Sequence, residues 1–471
     1  MIDSRPFRVA IVGAGPAGMY AARHLLEPPA GTYLDGRLVN LATCPVEVDV
    51  LERLPTPWGL IRGGVAPDHP EKKAITRVFD EVVRRPGFRF FGNVEVGRDV
   101  LPQELSAWYD AVIYAVGAAG DTHMGIEGED LPGCYSAREF VAWYNGHPDH
   151  SDLDIDLSVE RAVVIGNGNV AMDVARILTT PIDVLERTDI ADYALAALRA
   201  SRVREVIVLG RRGHLHGAFN NPELEELGEL PGVDIVVEGE DLPGDGEVVL
   251  DDADAATLRK VDTLRRYAHR PIVGHPRRIV LRFLTSPVEL LGHDRVEGLL
   301  ASRNHLEHDP ATGRLRARPT GEEAVIDAGL VLRAIGYFGT PIAGLPFDDH
   351  KGVIPSADGR VLDHGTPVPG TYVTGWVKRG PNGIIGTNKK CARDTVRSFW
   401  ADAHAGRLPR ADTVDAPTVR EIVKQRQPAL VEYDGWKAID HHERQSGQVL
   451  GRPRIKLTNT TDLVAQARCH Q

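Results

Sequence analysis

A chain of 471 residues with a formal net charge of −11 has room for two or three domains and is too acidic for general nucleic-acid binding. Its 48 glycines, beside aromatic residues at only 6%, favour an α/β protein with many tight strand-to-helix turns over a fibrous or disordered chain. Cys44, Cys134, Cys391 and Cys469 stand too far apart for a CxxC-type metal or redox pair, no window of about 20 apolar residues suggests a membrane helix, and the start MIDSRPFRVAIVG carries no secretory pattern. The expectation is a protein of the reducing cytoplasm that binds no metal, no membrane and no nucleic acid.

Phe7 to Val12 reads as a buried strand. It runs into Gly13-Ala14-Gly15-Pro16-Ala17-Gly18, after which Met19, Ala21, Ala22, Leu25 and Leu26 recur at helical spacing. A second apolar run, Val46 to Leu51, ends on Glu52. Strand, glycine turn, helix, strand and acid is the order of a dinucleotide site. The first glycine makes the turn, the second admits a pyrophosphate, the third lets helix pack on strand, and the acid bonds a ribose hydroxyl. Behind Pro70, Glu71 to Val83 reads as a helix. Tyr109 to Gly117 reads as a strand closing in a small-residue turn.

The pattern then recurs. Arg161 to Ile165 is a strand, Gly166-Asn167-Gly168-Asn169-Val170-Ala171 is the turn, Ala171 to Leu178 is helix, and Val203 to Leu209 is the next strand. This strand ends in Arg211 and Arg212 instead of an acid. A carboxylate there would repel a 2′-phosphate, whereas a guanidinium binds it bidentately. The competing reading is two solvated surface charges. The first unit therefore reads as an FAD or NAD site and the second as an NADP site, with Asn167, Asn169 and Val170 offering turn amides to the pyrophosphate. Asp173, one turn into the helix, reads as structural.

Farther on, the acidic stretch from Glu223 to Asp254 contains no Lys or Arg. The stretch after it holds Arg259, Lys260, Arg265, Arg266, Arg270, Arg277, Arg278 and Arg282 against the single acid Asp262. That segregation suggests a local field for an acidic partner. Ordinary salt bridges on a solvated helix are the alternative. Gly329 to Gly336 repeats the strand-and-small-turn idea of Tyr109 to Gly117. Two such crossings predict a discontinuous layout: an FAD domain over residues 1–118 and 337–471, with an NADP domain over 119–336 inserted into it.

Three further stretches are specific. They are PTPWGLIRGGVAPDHP from Pro55 to Pro70, VTGWVKRGPNGIIGT from Val373 to Thr387 with Asn388-Lys389-Lys390 behind it, and the GRRG around the paired arginines with Glu223 downstream. With GNGNVA and the late Gly451-Arg452-Pro453-Arg454, they resemble the adrenodoxin-reductase-like ferredoxin–NADP reductases over nearly the whole chain, the bacterial members most of all. The resemblance implies a glutathione-reductase-like α/β fold of two doubly wound, Rossmann-like three-layer domains. It implies non-covalent FAD, NADPH as hydride donor, and a ferredoxin-type iron–sulfur protein as electron acceptor. An isolated set of cysteines agrees, since a flavin disulfide reductase needs a thiol pair.

By the same resemblance, Gly13, Gly15, Pro16, Ala17, Gly18 and Glu52 serve FAD, and Gly59, Leu60 and Val94 touch it through backbone. Gly383, Ile384 and Ile385 bring a helix N-terminus to the isoalloxazine, and Trp376 lies near flavin and nicotinamide. Gly166, Asn167, Gly168, Asn169, Val170, Arg211 and Arg212 serve NADP(H). His69 is implied to pair with Glu223 beside the nicotinamide, both modulating transfer. The sequence departs from the family at His214 and His216 and at Asn220-Asn221-Pro222, where Asn221 suits an N-cap and Pro222 the first helical position. The histidines could also meet the 2′-phosphate. Two other functions use the same motifs: an NADPH diaphorase or oxidase without a dedicated ferredoxin, and a non-catalytic NADP-sensing flavoprotein subunit.

Overall fold

The structure, a computed structural model, describes residues 5–28, 31–34, 37–39, 41, 44–238, 254–309, 313, 315–410 and 414–469. Its chain divides into two units: Met1–Val65, His69–Asp121 and Tyr337–Gln471 in the first, Ala66–Asp68 and Thr122–Gly336 in the second. The second unit thus interrupts the first along the chain.

In the first unit the apolar run Phe7–Val12 is buried at all six positions as an inner strand. Val46–Glu52 lies parallel on one side and Ala111–Tyr114 parallel on the other. Phe88–Gly92 extends one side and Thr366–Val373 the other, both again parallel, so the strand order reverses at Phe7–Val12. A ligand in such a sheet binds beyond the carboxyl end of the reversing strand, which is where the first glycine turn stands. Helices Pro16–Leu26, Thr76–Val83 and Ile385–His404 pack on one face through Ala21, Leu25, Phe79, Val83, Ala392 and Phe399. Pro102–Trp108 and Ala416–Arg426 cover the other with Leu105, Val419 and Val423.

The second unit repeats the plan with six strands, all parallel: Val233–Glu238, Arg277–Arg282, Glu205–Leu209, Arg161–Ile165, Leu330–Arg333 and Cys134–Ser136. Its reversal falls on Arg161–Ile165, directly before the second glycine turn. One face carries helices, Asn169–Thr179 among them. The other is covered by an antiparallel sheet of Thr285–Leu291, Gly298–His308 and Leu315–Asp327, whose Leu290, Leu299, Ala301 and Ile326 meet Val163, Ile207 and Val280. The expected α/β fold of two Rossmann-like three-layer domains is borne out, with this antiparallel layer as an addition.

Two local expectations need correction. The helix expected over Glu71 to Val83 is two helices, Pro70–Lys73 and Thr76–Val83. The Thr76 hydroxyl donates to the Lys73 carbonyl at 3.0 Å, a side-chain bond that competes with the helical ladder where the first segment stops. The helix carrying Glu223 runs Asn221–Leu227, one residue earlier than expected, so Pro222 is its second residue. Neither asparagine caps it. The Asn221 side-chain amide donates to Ala256 O at 3.0 Å, and the Asn220 N–H is taken by Asn169 Oδ1 at 2.8 Å.

Candidate nucleotide and electron-transfer sites

Both glycine turns are built alike. Gly13 has φ +106°, and a Cβ there would stand 2.6 Å from Ala115 O; Gly166 has φ +109°, and a Cβ would stand 2.3 Å from Ala334 O. Only glycine lets the turn lie this close to the next strand. Each following helix starts without a side-chain cap, behind Gly15 in one unit and Gly168 in the other. Their first amides therefore stay available to an anion, and the helix dipole favours one. A Cβ on Gly168 would meet nothing within 4 Å, and on Gly15 only the Gly59 Cα at 3.9 Å. Open backbone of this kind fits a pyrophosphate in each unit. Pro16 stands in the first turn of its helix, and Ala17 and Gly18 are buried behind it.

The strand ends differ. Glu52 turns back on its own unit: Oε2 accepts from the Ala14 N–H at 2.8 Å and Oε1 from the Leu54 N–H at 3.1 Å. Burial raises this carboxyl above the ordinary glutamate range against the pull of those amides. The carboxylate keeps acceptor capacity beyond these amides, which suits a ribose hydroxyl. Arg211 is exposed and Arg212 half-buried. Their backbone is pinned, Arg211 O by Asn304 Nδ2 at 3.0 Å and Arg212 O by Leu284 N–H at 3.3 Å. Among the described residues no carboxylate pairs with either guanidinium. Two cations on an anchored backbone, without a carboxylate partner among the described residues, fit a phosphate.

The residues between the arginines and Glu223 are tied to the second glycine turn. Asn169 Oδ1 accepts from Asn220 N–H, as above, and Asn167 Oδ1 accepts at 3.5 Å from Ala218 N–H. Sequence reasoning assigned these asparagines through their backbone and missed the side-chain tether, for which local pattern gives no signal. The two histidines separate. His214 is buried edge-on to Phe283, ring centroids 6.4 Å apart, while His216 is half-buried. Burial first, then the nearby Arg212 and Lys260, hold His216 below the ordinary histidine pKa. Glu223 is buried in the first turn of its helix, in the same unit as Val170, the second residue of Asn169–Thr179. Arg176 on that last helix binds Asp68 at 2.7 Å, Asp173 at 2.8 Å and Glu226 at 2.9 Å, which gives Asp173 a structural partner.

In the first unit, Gly59 packs on the glycine turn, since a Cβ there would stand 2.9 Å from Gly15 Cα. Leu60 begins the short helix Leu60–Gly63 and is partly exposed. Val94 is buried, with its N–H on Glu52 O at 2.9 Å. His69 is also buried, and its Nδ1 stands 3.1 Å from Lys72 Nζ.

Trp376 opens a short helix, Trp376–Arg379, just past the strand, and stacks on Tyr337 at 5.3 Å. Tyr337 was not singled out in the sequence. Among the described residues the buried Trp376 indole N–H has no partner, a donor that fits a flavin acceptor atom. A Cβ on Gly375 would press on Ala17 Cβ at 2.7 Å, so this segment closes onto the glycine-turn helix. Gly383, at φ +86°, and Ile384 precede the helix Ile385–His404, where Thr387 Oγ1 accepts the Ile384 N–H at 3.2 Å. The Thr387 N–H in turn bonds Ile384 O at 3.0 Å, which leaves the Ile385 and Gly386 amides for an electron-rich ring.

The cationic stretch is not one helix face. Arg265 and Arg266 lie in the last turn of Ala255–Ala268, Arg270 follows it, and Arg277 and Arg278 begin a strand of the parallel sheet. Arg277 donates to Thr180 O at 2.9 Å and Arg278 pairs with Glu205. Arg270 reaches Gly228 O at 3.0 Å, and Arg265 stands 3.7 Å from Asp262. The acidic stretch before it falls partly on 239–253, outside the described residues. A cleft of about 590 Å³ opens at this amino edge of the sheet, but Arg161 and Arg278 in its wall both pair with Glu205, and it lies a strand length from the glycine turn. No group of His, Cys, Asp and Glu suited to a metal, and no helix long and apolar enough to cross a membrane, occurs among the described residues.

Two parallel α/β units, each with an uncapped helix behind a glycine turn, define a flavin- and pyridine-nucleotide-dependent oxidoreductase. The family model of the pyridine nucleotide-disulphide oxidoreductases matches residues 7–238, a span that takes in both turns. The NADPH-ferredoxin reductase FprA of Mycobacterium tuberculosis is 50% identical over 98% of this chain and 99% of its own. The mitochondrial NADPH:adrenodoxin oxidoreductase of Arabidopsis thaliana is 40% identical over 99% of this chain and 96% of its own. A solved structure of M. tuberculosis FprA in complex with NADPH superposes with a TM-score of 0.90 at 47% identity, covering 98% of this chain and all of that one. The chain belongs to the adrenodoxin-reductase-like NADPH–ferredoxin reductases.

Proposed function

We infer that this protein is an FAD-dependent ferredoxin–NADP(+) reductase, which takes a hydride from NADPH and passes electrons to a ferredoxin-type iron–sulfur protein. The observation that carries the reading is the contrast of strand ends: a self-bonded Glu52 behind one glycine turn, and behind the other two arginines without a carboxylate partner among the described residues. FAD, when bound, accepts two electrons together and releases them singly. The chain's own part is positioning and electrostatics. Gly13, Gly15, Pro16, Ala17, Gly18, Gly59, Leu60 and Val94 shape the FAD cradle, and Glu52 takes its ribose. The Ile385–His404 N-terminus and the Trp376 indole offer donors to the flavin ring. Gly166 to Val170 take the NADP(H) pyrophosphate and Arg211 and Arg212 its 2′-phosphate. Glu223 is proposed to hold the nicotinamide end and His69 to modulate the transfer.

Anaerobic titration with NADPH tests the reaction. The flavin absorbance should bleach, and a ferredoxin, or cytochrome c through one, should then be reduced. A flavin that NADPH leaves oxidised would end the proposal. The acceptor is proposed to be an acidic ferredoxin of the cytoplasm, drawn by the cations near Arg265, Arg266, Arg270, Arg277 and Arg278. Arg265 and Arg266, together in the last turn of Ala255–Ala268, are the pair to test. Reversing both charges should raise the KM for ferredoxin and flatten its salt dependence while reduction of a small neutral acceptor persists. Equal loss of both activities would exclude docking there.

A further inference from the structure

The late motif Gly451-Arg452-Pro453-Arg454 leads back to the loop that touches the first glycine turn. After the helix Tyr433–Val449 the chain reverses at Gly451, and Arg452 N–H bonds Gly447 O at 2.9 Å. Gly447 lets the return strand pass: a Cβ there would stand 2.5 Å from Arg454 Cα. The reversal sets Arg454 Nη1 on Glu443 Oε2 at 3.0 Å and Leu457 N–H on Glu443 Oε1 at 2.9 Å. Glu443 has no exposure at all. Its two oxygens also receive Arg62, whose Nη1 and Nη2 stand at 2.8 and 2.5 Å, a bidentate fork. Arg62 further lies over the Trp436 ring at 5.5 Å, and Lys456 Nζ bonds its carbonyl at 3.3 Å.

Arg62 closes the one-turn helix whose other end meets the glycine turn. Its N–H bonds Gly59 O at 3.0 Å, Trp58 N–H bonds Ala14 O at 3.0 Å, and Gly59 stacks on Gly15 as described. Trp58 holds φ +84°, which a bulky residue adopts only where its surroundings impose it; its ring meets Trp436 edge-on at 6.3 Å. The wall beside Gly15 is thus fixed from a carboxylate 381 positions after Arg62 in the chain.

We propose that Glu443, set by Arg454, is a positioning residue for FAD: it holds Arg62, and through it the Trp58–Gly63 loop, against the turn that cradles the cofactor. The inference rests on the assignment of that turn to FAD. Glu443→Gln keeps the shape and removes the charge, so the fork and the Arg454 contact weaken together. FAD affinity of the apoprotein, read by quenching of free flavin fluorescence, should fall about tenfold, as for loss of a charge-assisted bond. NADP+ affinity, which depends on the second unit, should stay. Arg454→Lys and Arg62→Lys should show intermediate losses, and carry the same readout should Glu443→Gln not fold. Glu52→Ala separates the two layers of the claim. If it leaves FAD affinity unchanged, the assignment of the turn is wrong and the positioning role falls with it. If it weakens FAD while folded clamp variants bind FAD within twofold of the wild type, the positioning role alone is overturned.

Discussion

The two glycine turns share a backbone and differ in what waits at the neighbouring strand. Behind Gly13 to Gly18, Glu52 has its oxygens on amides of its own unit, so that end is assembled before any ligand arrives. Behind Gly166 to Ala171, only the backbone of Arg211 and Arg212 is anchored. A carboxylate can satisfy itself on nearby N–H groups. A guanidinium without a carboxylate partner among the described residues is left open to an anion from outside. One end is therefore suited to a cofactor that stays, the other to a nucleotide that comes and goes.

The sharpest way to break this contrast is to neutralise Arg211 and Arg212 together. Each lost charge-assisted contact should cost about 1.5–3 kcal/mol, so kcat/KM for NADPH should fall by orders of magnitude while that for NADH changes little. An unchanged preference for NADPH would refute the assignment. Glu52→Ala should weaken FAD by about 1.5–3 kcal/mol, since two turn amides lose their acceptor together with the ribose. Flavin release on dilution would measure it, with NADP+ binding unaffected. Asn169→Ala removes the tether to Asn220 and should cost about 1 kcal/mol of NADPH affinity, seen by calorimetry, with FAD retained.

The smallest effect concerns pH. His216 is held below the usual histidine range, so it is neutral in the nucleotide-free protein at pH 7. The unfolded chain protonates first, so this group lowers the stability of the free protein as pH falls through about 6.5. A bound phosphate reverses the preference and favours the cation. NADPH affinity of the wild type, relative to His216→Asn, should therefore rise on acidification below about pH 6.5, by less than about 1 kcal/mol. Parallel pH profiles for the two proteins would remove His216 from the site.

The ends of this contrast were legible in the sequence to different depths. Phe7–Val12 and Arg161–Ile165 match their expected bounds, because each is an apolar run stopped by a glycine turn, a signal confined to a few residues. The break at Ala74 and Ile75 was hidden by an unbroken helical pattern that a single hydroxyl interrupts. The antiparallel layer over 285–327 was not foreseen, and neither was the bonding of Arg277 and Arg278 within their sheet. Their charges pattern as surface, while partners at Thr180 and Glu205 come from strand register. The Arg62–Glu443 fork depends on residues from opposite ends of the chain, which no local spacing reveals.

The interruption of one unit by the other has a consequence for synthesis. Ala111–Tyr114 finds its partner Thr366–Val373, and Pro16–Leu26 its packing neighbour Ile385–His404, only after all of Thr122–Gly336 has been made. At ordinary translation rates that is a delay on the order of tens of seconds. The interrupting unit can finish on the ribosome while the earlier segment still exposes an open sheet edge. Capture of the flavin is then a late event of biogenesis, and a nascent chain stalled before residue 366 should bind NADP+ but not FAD.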